Sequence, residues 1–252
     1  MIYVQPRDLV IEVTRRCNMN CAHCIRGDAE NMDINPEYLE FLTSCVNPMS
    51  VTFTGGEPSL NIEAIKQYFR RMKEKEHGIY NFYVVTNGKE NQEELALTLL
   101  RAYPDMEEPE YCGLALSIDQ FHETPSPKDY SIFEGLSFFN KNDKTHNLNK
   151  VDDRWVICTG RASNNGIGCR SPKSIVKDFD EWIEDWYYQG DDIVVEVEML
   201  YVSANGNILN DCDLSYDDID NYPICHIYEL QEMLEQYIQE VEGPEQQNIT
   251  AC

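Results

Sequence analysis

Positive charge is scarce in this chain: 20 Lys and Arg stand against 45 Asp and Glu, for a formal net charge of −25. Such an imbalance opposes approach to the phosphates of nucleic acid and to anionic membrane surfaces, so neither is expected as a partner. A cationic peptide or protein would instead be steered towards it. Long apolar runs are missing too. Hydrophobic residues make up 42% of the chain, yet no run approaches the roughly 20 residues of a membrane-spanning helix. The first residues, MIYVQPRDLVIEV, lack the basic start, apolar stretch and small-residue cleavage site of a secretory signal. A cytoplasmic location is the expectation, and no internal repeat or low-complexity tract complicates the reading.

Ten cysteines in 252 residues are not scarce, and in a reducing compartment they read as ligands or free thiols rather than disulfides. Three of them, Cys17, Cys21 and Cys24, fall in the run RRCNMNCAHC. What this loop lacks is a fourth cysteine. The others are scattered, and Cys45 and Cys112 read as small buried hydrophobes.

The length fits one α/β domain of barrel type, with room for a small appendage. Residues 8–13 alternate apolar and polar positions and predict a strand that ends just before the cysteine loop. Asn35 and Pro36 predict the start of a helix running to about Val46. A strand follows at Ser50–Phe53, with Gly55-Gly56-Glu57-Pro58 at its end. Asn61 is expected to cap a helix through Glu76, and Asn81–Thr86 reads as a strand stopped by the turn pair Asn87-Gly88. A helix at Gln92–Ala102 and a strand at Tyr111–Ile118 follow, then a helix over about 128–140. A polar linker leads to a fifth strand at Trp155–Thr159 and a turn-rich stretch at Gly160–Gly168. Ile193–Ser203 reads as a strand turning at Asn205-Gly206 into Asn207–Asp211, an antiparallel hairpin taken as an appendage. His226–Val241 reads as a helix, and the tail after it is too polar to order.

Strand alternating with helix four times over predicts βαβ units around a parallel sheet. Ligands of such sheets bind beyond the carboxyl ends of the strands. The cysteine loop, Gly55-Gly56-Glu57, Thr86-Asn87 and Ser117-Asp119 all fall at that end. Arg15 and Arg16 add positive charge beside the cysteines. Three sulfurs in C-x3-C-x2-C spacing can hold a [4Fe-4S] cluster and leave one iron open to a ligand that is not protein. Structural zinc prefers four Cys or His in paired spacings, and His23, between two cysteines, would hardly reach the same ion. Taken alone, the cysteines leave zinc, a plain electron carrier and a cluster with an open iron as the readings.

Together with TFTGGEPSLN, the run from Cys17 to Cys24 resembles the signature of the radical S-adenosylmethionine (SAM) superfamily. The resemblance implies a partial (β/α)6 barrel and reductive cleavage of SAM to methionine and a 5′-deoxyadenosyl radical that takes a hydrogen atom from a substrate. It makes Cys17, Cys21 and Cys24 the cluster ligands, and puts His23 where an aromatic residue often touches adenine. Gly55, Gly56 and Glu57 match the turn that binds the SAM amine, and Ser117 the polar residue on the SAM ribose or carboxylate. Thr86, Asn87 and Asp119 would face the same site. His122 is a candidate for proton transfer, with helix capping as the plainer reading, and Asn87-Gly88 is equally read as only a turn.

Arg161, in a Gly-Arg-Ala segment, resembles an arginine of the SPASM/twitch subgroup that can bind the SAM carboxylate. YVSANGNILNDCDLSY resembles that subgroup's auxiliary-cluster hairpin, but only Cys169, Cys212 and Cys225, with Cys252 in the tail, remain to serve it. The resemblance thus implies a barrel over residues 1–170 and, over 171–252, a small hairpin-plus-helix appendage that caps the substrate and has lost its cluster, a three-cysteine cluster being the alternative. A peptide or protein substrate, with an electron donor such as flavodoxin or ferredoxin, is the first expectation. A small-molecule rearrangement of the 7-deazaguanine type, with Mg2+, and a non-enzymatic electron-transfer module are the rivals.

Overall fold

The computed structural model describes residues 1–75, 78–123, 126, 131–139, 155–171, 175–176 and 178–246. Its spine is β1 (Ile2–Thr14), a longer strand than residues 8–13 predict. β1 is flanked in parallel by β2 (Ser50–Gly55) on one side and β6 (Asp192–Val202) on the other. β3 (Asn81–Thr86) and β4 (Gly113–Leu116) extend the β2 side, again in parallel. Beyond β6 lie β7 (Asn207–Leu209) and β8 (Cys225–His226), both antiparallel, giving the order β4-β3-β2-β1-β6-β7-β8. β5 (Asp185–Gln189) pairs antiparallel with the first half of β6. The protein is thus a mixed α/β sheet protein.

Helices α1 (Pro36–Cys45), α2 (Ile62–Glu74) and α3 (Gln92–Ala102) make the crossovers between the parallel strands. α1 begins as predicted: the Asn35 side chain accepts from the Glu37 N–H at 3.0 Å, and Pro36 takes the first turn. Ile62, Ile65, Tyr68 and Met72 recur at helical spacing, so one face of α2 is buried. Asn61 does not cap it. Its amide instead donates to the Val13 carbonyl at 2.6 Å, tying the start of α2 to the end of β1.

Strand alternation separates two faces. Leu9, Ile11, Val13, Val51, Phe53, Phe82 and Val84 join the main core with residues of α1–α3. The intervening residues, among them Val10, Thr52, Thr54, Tyr83 and Val85, face a cavity instead.

Three expectations are corrected. Ile193–Ser203 does form a strand, β6, but it is not an antiparallel outlier. It runs parallel to β1 inside the main sheet, because Val194, Val195, Val197 and Leu200–Val202 bury both of its faces. Val195 and Val197, with Leu230, Leu234 and Ile238 of the C-terminal helix, pack in the same core as β1–β3. Among the described residues Trp155–Thr159 forms no sheet strand, and Ile157 bridges to Arg170. The chain there turns into a short helix, α4 (Gly160–Asn164), and docks on the cysteine loop, where Arg161 N and Ala162 N both bond to the Cys24 carbonyl at 2.9 and 3.3 Å. Within the segment predicted as a helix over 128–140, residues 131–135 form a 3-10 turn, and Phe139 then bridges to Leu114 beside β4; 128–130 and 140 lie outside the described residues.

The further α-helices among the described residues are α5 (Phe179–Trp182), α6 (Tyr216–Asn221) and α7 (Leu230–Gln246). Among the described residues no helix is long and apolar enough to cross a membrane. The last helix, α7, starts at Leu230 rather than His226, since His226 is taken into β8, and it runs across a kink at Gly243 (φ 64°) to Gln246, into the tail expected not to order. Residues beyond 246, with Cys252, lie outside the described residues.

Candidate functional site

A cavity of about 690 Å³ lies against the polar-alternating face of the sheet, at the carboxyl ends of the parallel strands. Cys17, Cys21, His23, Cys24, Gly55, Gly56, Glu57, Asn87, Ser117, Asp119, His122 and Arg161 all line it. Of the site residues named from sequence, Thr86 alone is not at its wall.

The two glycines are dictated by the end of β1 and the residues that lead into the cysteine loop. A β-carbon on Gly55 (φ 147°) would sit 2.0 Å from the Thr14 carbonyl oxygen, and one on Gly56 would sit 2.4 Å from that of Arg16. At that approach the Gly56 and Glu57 N–H groups bond to the Thr14 and Arg16 carbonyls, each at 2.8 Å. The two motifs are therefore one structural unit, clasped backbone to backbone.

Glu57 is buried, and both oxygens of its carboxylate are engaged. One oxygen accepts from Ser59 N (3.0 Å) and the Thr86 hydroxyl (2.6 Å), the other from Asn87 N (2.8 Å). Burial pushes its pKa up against these hydrogen bonds. Thr86, expected to face the site, instead lies beneath it as this brace. Asn87 does more than turn the chain: its amide donates to Asn18 of the cysteine loop at 2.8 Å.

His23, Asp119 and His122 converge, with one donor atom from each within 4.8 Å of the others. His122 Nδ1 lies 2.8 Å and His23 Nε2 3.8 Å from the Asp119 carboxylate, and the two imidazoles meet edge to face at 4.8 Å. His23 also stacks on Phe121. Burial opposes charge on His122, but Asp119 and the Cys21 sulfur outweigh it and lift its pKa to about 9. Burial wins at His23, whose pKa falls. Asp119 stays below the usual carboxylate range, because the His122 imidazole beside it and the hydrogen bond from Phe121 N outweigh its burial. This group is a proton-holding pair with a neutral imidazole beside it, or a set of donors for a cation.

Arg161 is the cation of the late-chain wall. Its guanidinium is 3.7 Å from Asp28, and its Nε is buried with no hydrogen-bond partner among the described residues. An orphaned guanidinium donor at a cavity wall suits an anionic ligand group. The three half-buried thiols are all unpaired, as ligands of a cluster must be. In size the cavity falls within the range of small-molecule sites. Cys17, Cys21 and Cys24 share this cavity wall with Arg161, though their sulfurs are not among the donor groups of the described residues that converge within 4.8 Å.

Cys169, Cys212 and Cys225 do not gather. Cys169 is exposed, Cys225 is buried in the main core, and Cys212 lines the cavity beside Arg26, Met199 and Asp213. Burial pushes the Cys212 thiol up to about 11. The second donor group among the described residues, Asp211-Cys212-Asp213, includes neither of the other two cysteines. Sequence reasoning missed Arg26 and Asn18 as site residues, and named Cys212 only as a possible ligand of an auxiliary cluster. Arg26 and Asn18 were within reach by their adjacency to the cysteines; Cys212 was placed in an appendage because β6 was.

No family model matches the chain. An uncharacterized protein of Methanocaldococcus jannaschii is 34% identical over 65 residues, which are 24% of this chain and 23% of that protein. Among solved structures, anSMEcpe with bound AdoMet and Cp18Cys peptide is 23% identical, over 48% of this chain and 33% of that one, with a TM-score of 0.36. Streptococcus suis SuiB bound to its precursor peptide SuiA is 15% identical, over 82% of this chain and 60% of that one, with a TM-score of 0.37. The chain therefore covers less than two thirds of each of these proteins, and these TM-scores lie below what a shared fold requires.

Proposed function

We propose that the chain is a radical SAM enzyme, with Cys17, Cys21 and Cys24 holding a [4Fe-4S] cluster and SAM filling the cavity beside it. The observation that carries this reading is the clasp between the cysteine loop and Gly55-Gly56-Glu57, which joins two motifs some thirty residues apart at one cavity wall. What such a cluster supplies when bound and reduced is the electron that splits SAM into methionine and a 5′-deoxyadenosyl radical, which then takes a hydrogen atom from the substrate.

The chain's own residues bind and orient. With the Glu57 carboxylate consumed, backbone carbonyls of the Gly55–Glu57 turn are left to accept from the SAM ammonium. Arg161 binds the carboxylate, Asn87 fixes the cysteine loop, and Ser117 lies where the ribose is expected. His23 and Asp119 border the adenosine side, and His122 holds a proton next to the substrate space. In this reading residues 1–170 carry the cluster and SAM contacts, and β6 beside β1 continues the same catalytic sheet.

A peptide or protein is the substrate class proposed, supported by the net charge of −25, which favours a cationic partner. A small one-electron carrier protein such as a flavodoxin or ferredoxin would reduce the cluster. The test is anaerobic reconstitution with iron and sulfide, reduction with SAM present, and chromatography for 5′-deoxyadenosine. The reading expects about four irons per chain and 5′-deoxyadenosine, both lost in the Cys17/Cys21/Cys24 triple alanine variant. Iron without SAM cleavage would leave an electron-transfer module.

A further inference from the structure

Two arginines bracket the three cysteines, Arg15 before Cys17 and Arg26 after Cys24, and both are buried. A guanidinium withdrawn from water needs its charge and donors matched, so its partners show what the loop is built against. Arg15 meets Asp220 through two parallel bonds of 2.6 and 3.0 Å, donates to Glu30 at 2.9 Å and lies 4.5 Å from the centre of the Tyr216 ring. Its carbonyl also accepts from Glu30 N at 3.1 Å, which closes the base of the loop.

Arg26 donates to the Leu214 carbonyl at 2.6 Å and lies over the Tyr201 ring at 5.1 Å, while its own carbonyl accepts from Tyr216 N at 2.9 Å. Between the two arginines stands Glu12, fully buried, 3.3 Å from Arg15 and bonded to the Tyr201 hydroxyl (3.0 Å) and Ala204 N (3.2 Å). Apart from Glu12 and Glu30, the partners of the two guanidiniums all come from one stretch, Tyr201–Asp220. Asp220 is itself oriented by the Asn205 amide at 2.8 Å.

We infer that Tyr201–Asp220 is the positioning element of the cysteine loop, and that Asp220 both holds the loop and sets the field at its cluster. The inference rests on the cluster reading above. It gives the C-terminal third a role other than capping substrate: the loop's two ends are anchored from a segment nearly 200 residues away in sequence. Three carboxylates, Glu12, Glu30 and Asp220, here face two guanidiniums. Removing the Asp220 charge leaves the group less negative, and because reduction adds an electron to the cluster, its midpoint potential moves positive.

The test is Asp220→Asn in the full chain, with Glu30→Gln as a milder second variant should the first fold poorly. After anaerobic reconstitution, both should bind iron, with the midpoint potential shifted positive and the reduced-state paramagnetic resonance line broadened by a less fixed loop. In the cluster-free chain, amide hydrogen exchange should rise in residues 15–30 and stay unchanged in β2, β3 and α1–α3. A purely structural role would raise exchange throughout and leave the potential alone. Unchanged potential and unchanged exchange in 15–30 would overturn the inference. Absence of iron from the wild-type chain, with exchange in 15–30 still responding to the variants, would instead overturn the cluster reading and leave the anchoring standing.

Discussion

The Glu57 carboxylate accepts a 2.6 Å hydrogen bond from the Thr86 hydroxyl, so the acidic residue of Gly-Gly-Glu-Pro is a buried brace between the ends of β2 and β3. The same carboxylate takes the N–H groups of Ser59 and Asn87. A residue that reads from sequence as a ligand contact thus acts through the backbone it holds.

Replacing that brace should cost stability before it costs chemistry. Glu57→Ala leaves two buried N–H groups and the Thr86 O–H without acceptors, at about 1–3 kcal/mol each before water relieves them. A loss of about 3 kcal/mol or more is expected in urea unfolding of the cluster-free chain. Glu57→Gln should lose less, since the amide keeps one acceptor for Ser59 and Thr86 but turns a donor towards Asn87 N. A loss below about 1 kcal/mol on the scale of a single net hydrogen bond for the alanine variant would contradict the brace.

Gly55→Ala tests the clasp. Its β-carbon would overlap the Thr14 carbonyl at 2.0 Å, and φ of 147° is strained for any side chain. The strand end has to shift, and the cysteine loop shifts with it. Iron bound per chain after reconstitution should fall by half or more, a rough allowance for strain of about 1–3 kcal/mol. Gly135→Ala, where nothing lies within 4 Å, should bind iron as the wild type does.

His122 makes stability depend on pH in a defined direction. Its pKa in the folded, cluster-free chain is about 9, against 6.5 as the ordinary value. The folded state therefore holds the proton more tightly. The stabilisation is fully present below pH 6.5, declines as pH rises and is gone above about 9. At 1.36 kcal/mol per unit its full size is on the order of 3 kcal/mol. Unfolding of the cluster-free chain measured between pH 6 and 9.5 should lose that much, and His122→Gln should flatten the curve. An equal slope in the variant would assign the effect elsewhere.

Much of this was legible because the β1–β4 half obeys local rules. Asn35-Pro36 starts α1, Asn81–Thr86 is β3 to the residue, and alternation in Ser50–Thr54 puts Thr52 and Thr54 on the cavity face. Illegible were the features set by distant partners. Ile193–Val202 reads equally well as a hairpin strand or a sheet centre, and only pairing with β1 decides between them. Trp155–Thr159 carries strand-like residues, yet its chain is captured by the Cys24 carbonyl through Arg161 and Ala162. β5 was missed although Asp185–Gln189 is rich in aromatics and Gly190 (φ 67°) marks the turn into β6. In the site, the convergence of the motifs was readable from strand ends; the engagement of Glu57 by Thr86 was not, since it depends on which side chain turns inward.

Arg161 offers the most direct test of the ligand. Its backbone N–H holds the Cys24 carbonyl at 2.9 Å whatever the side chain, so substitution should leave the cysteine loop and its iron in place. What is lost is the guanidinium with its unpartnered Nε at the cavity wall. A hydrogen bond to a charged group is worth about 1.5–3 kcal/mol, so Arg161→Gln should weaken SAM binding to the reconstituted protein by roughly 10- to 100-fold. Arg161→Lys keeps the charge but not the planar fork and should fall between the two. Calorimetric titration with SAM, alongside iron counts on each variant, separates the cases. Unchanged SAM affinity in the glutamine variant would free Arg161 from the ligand, and a parallel loss of iron would make it part of the loop's support.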